Sequence, residues 1–144
     1  MRKITFILIV VFIQSSCSAQ KPLKFVTHKS DYFLDLPSGY ELRKLKDDDG
    51  YQEYQAMYPD GSIVYITDDN KSGGSMNKAK EEKYGTNVYL QILSSDTLTL
   101  KGEHLDGKVW REDKLDKVVI GYIDVPISQK DRYDKILATL RRKK

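Results

Sequence analysis

With one cysteine in 144 residues, the chain has no partner for an internal disulfide and too few thiols for a multi-cysteine zinc or iron–sulfur site. Histidine is almost as scarce: His28 and His104 stand alone, in neither an HxH nor an HExxH spacing, so no helical metal pair is expected. Surplus positive charge is missing too. The formal net charge is +3, and residues 17–140 hold 18 Lys+Arg against 21 Asp+Glu, which leaves no excess of positive charge to hold a polyanion. No nucleic-acid partner is expected. Low-complexity sequence is absent, and 40% hydrophobic content with ten tyrosines is enough to build one ordinary core. The length is that of one domain.

Only one apolar run is long enough to stand out. Ile4–Ile13 follows the basic pair Arg2-Lys3 and would span roughly 15 Å as a helix, half of a ~30 Å hydrocarbon core. A short apolar run, a basic flank and small residues after it read as a secretory signal over residues 1–19, followed by one β-rich domain over 20–144. Two cleavage sites are open. Ile13-Gln14-Ser15-Ser16-Cys17 resembles a bacterial lipobox, with Gln14 where an aliphatic residue is usual, and cleavage before Cys17 would make it the lipidated N-terminus. Alternatively, Cys17-Ser18-Ala19 offers the small residues that an ordinary signal peptidase takes, with cleavage after Ala19. The ending SCSAQK resembles exported proteins of the Bacteroidota, and Cys17 falls where a lipobox would put it. The favoured reading is a lipoprotein, since two or more acyl chains anchor stably. Its expected location is the bacterial envelope, anchored by lipid, or the periplasm or exterior if no lipid is attached.

The body reads as a run of hairpins. Asp31–Leu36 alternates and puts Tyr32, Leu34 and Leu36 on one face. Further strands are expected at Tyr40–Lys46, Tyr51–Tyr58, Ser62–Thr67, Asn87–Leu93, Thr97–His104, Lys108–Lys114 and Lys117–Val125. Asp47-Asp48-Asp49-Gly50, Pro59-Asp60-Gly61 and Leu105-Asp106-Gly107 supply turn chemistry between them. Lys117–Val125 is apolar on both faces and is expected at the sheet centre. Asp68–Tyr84 is the longest irregular segment, with a helical turn expected at Lys78–Tyr84, and so is the first candidate for a binding loop.

After Pro126, Ser128 reads as an N-cap with Asp131 at N3, and Tyr133, Ile136, Leu137 and Leu140 form one apolar stripe. The tail Arg141-Arg142-Lys143-Lys144 would complement the negative end of that helix. The expected fold is therefore α+β: an antiparallel sheet of about seven or eight strands with one C-terminal amphipathic helix packed on it. The segment DGKVWREDKLDKVVIGYIDVPISQKDRYDKILATL resembles the endings of small exported proteins of the Bacteroidota. Its strand–Pro–helix closure is similar, more distantly, to the PsbP-like fold of photosystem accessory proteins, a resemblance that implies shape and no functional residue.

Chemical motifs are mostly fragments. Glu103, His104 and Asp106 at a hairpin end suit a solvated turn better than a metal. Ser62, Ser72 and Ser75 lack the G-x-S-x-G elbow, and Ser72-Gly73-Gly74-Ser75 lacks the lysine of a phosphate loop. Asp68, Asn70 and Ser72, with Gly73, half-match a calcium loop, but position 12 is Ala79. They stand as a candidate loop site without a metal assigned. Tyr51, Tyr54, Tyr58, Tyr65 and Tyr89 fall on neighbouring expected strands and form a candidate binding face, against which stands ordinary cross-strand packing. Asp96-Thr97-Leu98 resembles a short O-glycosylation acceptor of the Bacteroidota.

No catalytic set and no cofactor are assigned. The expectation is a non-enzymatic envelope domain that binds a protein or other envelope ligand through its sheet face or the 68–84 segment. A small-ligand carrier with a pocket in a curved sheet is the alternative, and an enzyme of unassigned class comes third.

Overall fold

A computed structural model describes residues 21–143 except 28, 72 and 75. Residues 1–20, on which the expected signal and Cys17 fall, and also His28, Ser72, Ser75 and Lys144, lie outside the described residues. The described residues form an α+β fold with nine antiparallel strands in two sheets and three α-helices. Its strands are β1 (Leu23–Val26), β2 (Asp31–Leu34), β3 (Glu41–Lys46), β4 (Gln52–Met57), β5 (Ile63–Thr67), β6 (Thr97–Glu103), β7 (Lys108–Leu115), β8 (Val118–Pro126) and β9 (Arg141–Lys143). The helices are α1 (Asn77–Tyr84), α2 (Val88–Ser94) and α3 (Lys130–Leu137). Among the described residues no helix is long and apolar enough to cross a membrane.

The larger sheet has the order β3-β4-β5-β8-β7-β6, and the smaller one β1-β2-β9. β8 lies centrally, as its two apolar faces require: Val118, Val119 and Ile120 are each 0% exposed. One face of the large sheet (Ala56, Val64, Ile66, Ile120, Tyr122) packs on α3 and on Leu23, Phe25, Tyr32 and Leu34 of the small sheet. The other (Tyr65, Leu100, Trp110, Val119) packs on Met76 beside α1 and on Val88 and Ile92 of α2. Both faces of one sheet are thus covered, and the molecule has two cores.

Four expectations are corrected. Asn87–Leu93 is not a strand: Val88 and Ile92, four apart, are buried on one side of α2. Ser128 does not cap a helix, because Ile127–Gln129 form a 3-10 turn and α3 starts at Lys130 with no side-chain cap bond. The basic tail, expected only to complement the end of the helix, forms a strand of its own. Arg141–Lys143 pairs with β2 as β9, and Arg141 donates a two-pronged pair of 2.8 Å bonds to Asp35. Finally, Leu23–Val26 pairs with β2, so the hairpins divide between two sheets rather than one.

Many of the tyrosines serve the first core. Tyr40–Tyr58, Tyr58–Tyr133 and Tyr133–Tyr122 stack edge to face at 6.0, 6.0 and 5.7 Å, and Tyr54 meets Phe25 at 4.9 Å. α3 is fixed by Asp134, which accepts bonds from Lys130, Arg111 and Tyr122. Burial alone would raise its carboxyl, but these three donors outweigh burial and hold it below the usual range.

Candidate functional site

The second face of the large sheet positions the 68–84 segment, beginning from a gap. In register, Tyr65 on β5 faces Gly121 on β8, which faces Glu112 on β7. A Cβ on Gly121 would sit 2.4 Å from the Tyr65 hydroxyl oxygen. Glycine therefore lets the Tyr65 ring lie across the central strand and donate a 2.6 Å hydrogen bond to Glu112 Oε2. Burial, reinforced by the Glu112 charge, holds the Tyr65 hydroxyl well above its ordinary value, so it stays a donor.

The loop closes over this pair. Gly74 N–H donates to Glu112 Oε2 at 3.1 Å, and Lys80 Nζ from α1 donates to Oε1 at 2.8 Å. Lys80 and Glu112 are 0% and 3% exposed, so this is a dry ion pair, and both carboxylate oxygens are occupied. A Cβ on Gly73 would lie 2.4 Å from Lys80 Nζ, and one on Gly74 would lie 2.1 Å from the Tyr65 ring. Two consecutive glycines are what the close approach of this backbone demands.

Two more ties complete the arrangement. Tyr84 at the end of α1 donates to Lys101 O at 2.9 Å and accepts from Lys101 N–H at 3.2 Å, covering part of the β6 edge. Buried Lys114 donates to Ile92 O and so holds the last turn of α2. Burial, with a hydrogen bond to Glu81 adding to it, pushes the Tyr89 hydroxyl on α2 up to about 12.

Between α1, the β6–β7 hairpin end and β8 lies an open cleft of about 740 Å³. Its walls are Ala79, Glu82 and Lys83 of α1, Glu103–Asp106 of the hairpin, Trp110 and Asp124. Leu105 stands fully exposed at its rim. A smaller hollow continues past Met76 and Ile123. The cleft exists because β7 and β8 fall out of step. Arg111 pairs with Tyr122 and Val109 with Val125, so Ile123 and Asp124 together face Trp110. This is a β-bulge, a device that re-aims side chains. Asp124 has φ 56°, a left-handed conformation that non-glycine residues seldom hold without reason. Trp110 lies flat over Gly102 of β6, whose Cβ would come within 2.5 Å of the indole.

The five tyrosines do not share a face. Tyr54 and Tyr58 border the first core, Tyr65 lies fully buried in the second, and Tyr89 is on α2 rather than on a strand. Tyr51, just before β4, lines a separate cleft of about 230 Å³ with Asp47, Glu53 and Asp69. Asp68 and Asn70 are turned to internal work: Asp68 Oδ1 accepts Gln52 N–H at 2.7 Å, and Asn70 Nδ2 donates to Asp116 O at 3.2 Å. Ser72, the third residue of that loop site, lies outside the described residues. Among the described residues no group of three or more His, Cys, Asp and Glu is placed to hold a metal ion. Sequence reasoning selected Glu103, His104 and Asp106 as a turn, and the structure sets all three on the cleft wall. It did not single out Glu82, Lys83, Trp110 and Asp124 as a site: the 68–84 segment was a signal for the first two, and Trp110 and Asp124 had none.

Comparison with known families, curated proteins and solved structures finds no significant match to the chain.

Proposed function

We propose that this chain is an exported lipoprotein of the bacterial envelope, held to the membrane through Cys17, and that its folded domain binds an envelope protein non-enzymatically in the cleft between α1 and the β6–β7 hairpin. The cleft itself carries the reading. It is open rather than enclosed, with exposed Leu105 at the rim among charges of both signs and buried Trp110 backing its wall, which suits an extended segment of a partner protein. The segment forming one wall is pinned by a dry ion pair, so the surface is preformed and little ordering cost falls on binding.

Chemistry weighs on the same side. Lys80, Glu112 and Tyr65 are the most catalytic-looking trio in the fold. Tyr65 and Lys80 both donate to Glu112, as does the Gly74 backbone, beneath a covering loop. Such a trio acts as a clamp.

Native mass spectrometry of protein purified from its own host tests this reading. A stoichiometric protein partner, lost on Glu82→Lys with Lys83→Glu, is the expected result. A retained lipid or small cofactor would overturn it in favour of a carrier. So would robust turnover of a hydrolase substrate panel that His104→Ala abolishes, in favour of an enzyme.

A further inference from the structure

We propose that the outer face of the three-stranded sheet is the surface this domain lays on an anionic bilayer; the proposal rests on the lipid-anchor reading above. Alternation fixes what that face carries. Leu23, Phe25, Tyr32 and Leu34 point into the core, so Lys24 and Val26 of β1 and Asp31 and Phe33 of β2 point outward. Register extends both rows to β9: Phe33 faces Lys24 and Arg141, and Asp31 faces Val26 and Lys143. The result is a small patch of three cations around Val26 and Phe33, with two acidic residues, Asp31 and Asp35, paired to Lys24 and Arg141 and Lys143 left in excess.

Charge is segregated along the chain in the same sense. Residues 21–34 and 141–144 hold seven Lys+Arg against one acidic residue, whereas residues 35–140 hold 15 against 20. The chain nearly balances overall, yet its positive charge gathers beside one sheet of three short strands. A basic, partly apolar face is what the headgroup region of an anionic membrane attracts. The Lys24–Asp31 pair (2.7 Å) is about half exposed and contributes little, so Lys24 can turn to a lipid phosphate, whereas the two-pronged Arg141–Asp35 pair (2.8 Å) holds β9 in place.

The tether points the same way. Five residues separate Cys17 from Leu23, six Cα steps with a covalent reach of about 20 Å, so an acylated Cys17 keeps β1 close to the headgroups. The small sheet packs on one face of the large sheet, while α1 and the cleft occupy the other. Laid down on its small sheet, the domain turns the cleft away from the membrane, where a partner can reach it.

Hydrogen exchange on the mature protein from its host tests this, with intact mass recording whether Cys17 carries lipid. The vesicles are phosphatidylethanolamine with phosphatidylglycerol, compared with phosphatidylcholine alone. Slowed exchange in β1, β2 and β9 on the anionic vesicles, lost in the Lys24→Glu/Lys143→Glu double variant and enhanced in Asp31→Asn, is the expected result. For material without lipid, the double variant should also cosediment at least tenfold more weakly with the anionic vesicles. Unlipidated protein that still shows the protection supports the face and overturns the anchor alone. Lipidated protein protected equally on both vesicles, or protected at α1 and α2 instead, overturns the face and leaves the anchor standing. Equal protection by soluble polyphosphate also overturns the membrane assignment.

Discussion

Lys80, Glu112 and Tyr65 decide whether the 68–84 segment is a wall or a loose loop. Lys80→Met would leave Glu112 charged, buried and short of its cation, a change that costs about 3–5 kcal/mol. Adding Glu112→Gln to that variant should recover part of the loss, and urea unfolding midpoints of the two would show it. Gly121→Ala should cost about 1–3 kcal/mol, because the new methyl meets both the Tyr65 hydroxyl and the Arg111 carbonyl. Asp124→Gly separates stability from function: relief of the left-handed strain should stabilise the fold by about 1 kcal/mol, while removal of a carboxylate from the cleft weakens partner binding. A gain in thermal midpoint with unchanged binding would reduce Asp124 to a structural residue. Little of this was legible beforehand. Gly121, Tyr65 and Glu112 lie 9 to 56 positions apart and meet only through strand register, which no local pattern encodes.

The helices differ in what holds them, and so in how they answer to pH. α3 is docked through Asp134, whose carboxyl is held below its usual range in the folded state. A group depressed on folding contributes stability above its unfolded value, near pH 4, and the contribution fades as pH falls through the folded value. Protection of the Lys130–Leu137 amides, taken relative to their intrinsic exchange rate at each pH, should therefore fall below about pH 4, and Asp134→Asn should remove that acid sensitivity. A pH-independent α3 would show that Tyr133, Ile136 and Leu137 hold it by packing alone. Sequence legibility follows the same physics. β4, β5, β7 and β8 are long enough, and alternate or bury enough, to be read directly, as is the stripe of α3. The seven residues of α2 were misread because Val88, Leu90 and Ile92 also alternate, and β-branched and aromatic residues favour strands. β1 and β9, with four and three residues, are too short to show a period, and β9 has no apolar residue at all. Pairing with β2 creates them.

For the whole molecule, the proposed function rests on attachment and orientation together. Cys17→Ser should abolish lipid labelling and leave either the precursor or a product cut after Ala19, as intact mass would show; a wild-type product starting at Gln20 would remove the anchor. Were the small sheet to lie on the bilayer as proposed, the cleft between α1 and the β6–β7 hairpin would be the surface offered to a partner. Site-specific photo-crosslinking in the native envelope reads that directly. A crosslinker placed at Leu105 on the cleft rim is compared with one at Leu42, exposed on the far edge strand β3. The expected result is one adduct of discrete mass from Leu105, absent from Leu42 and lost when Glu82 and Lys83 are charge-reversed. Indistinguishable adducts from both positions, or none from Leu105, would contradict a binding role for the cleft.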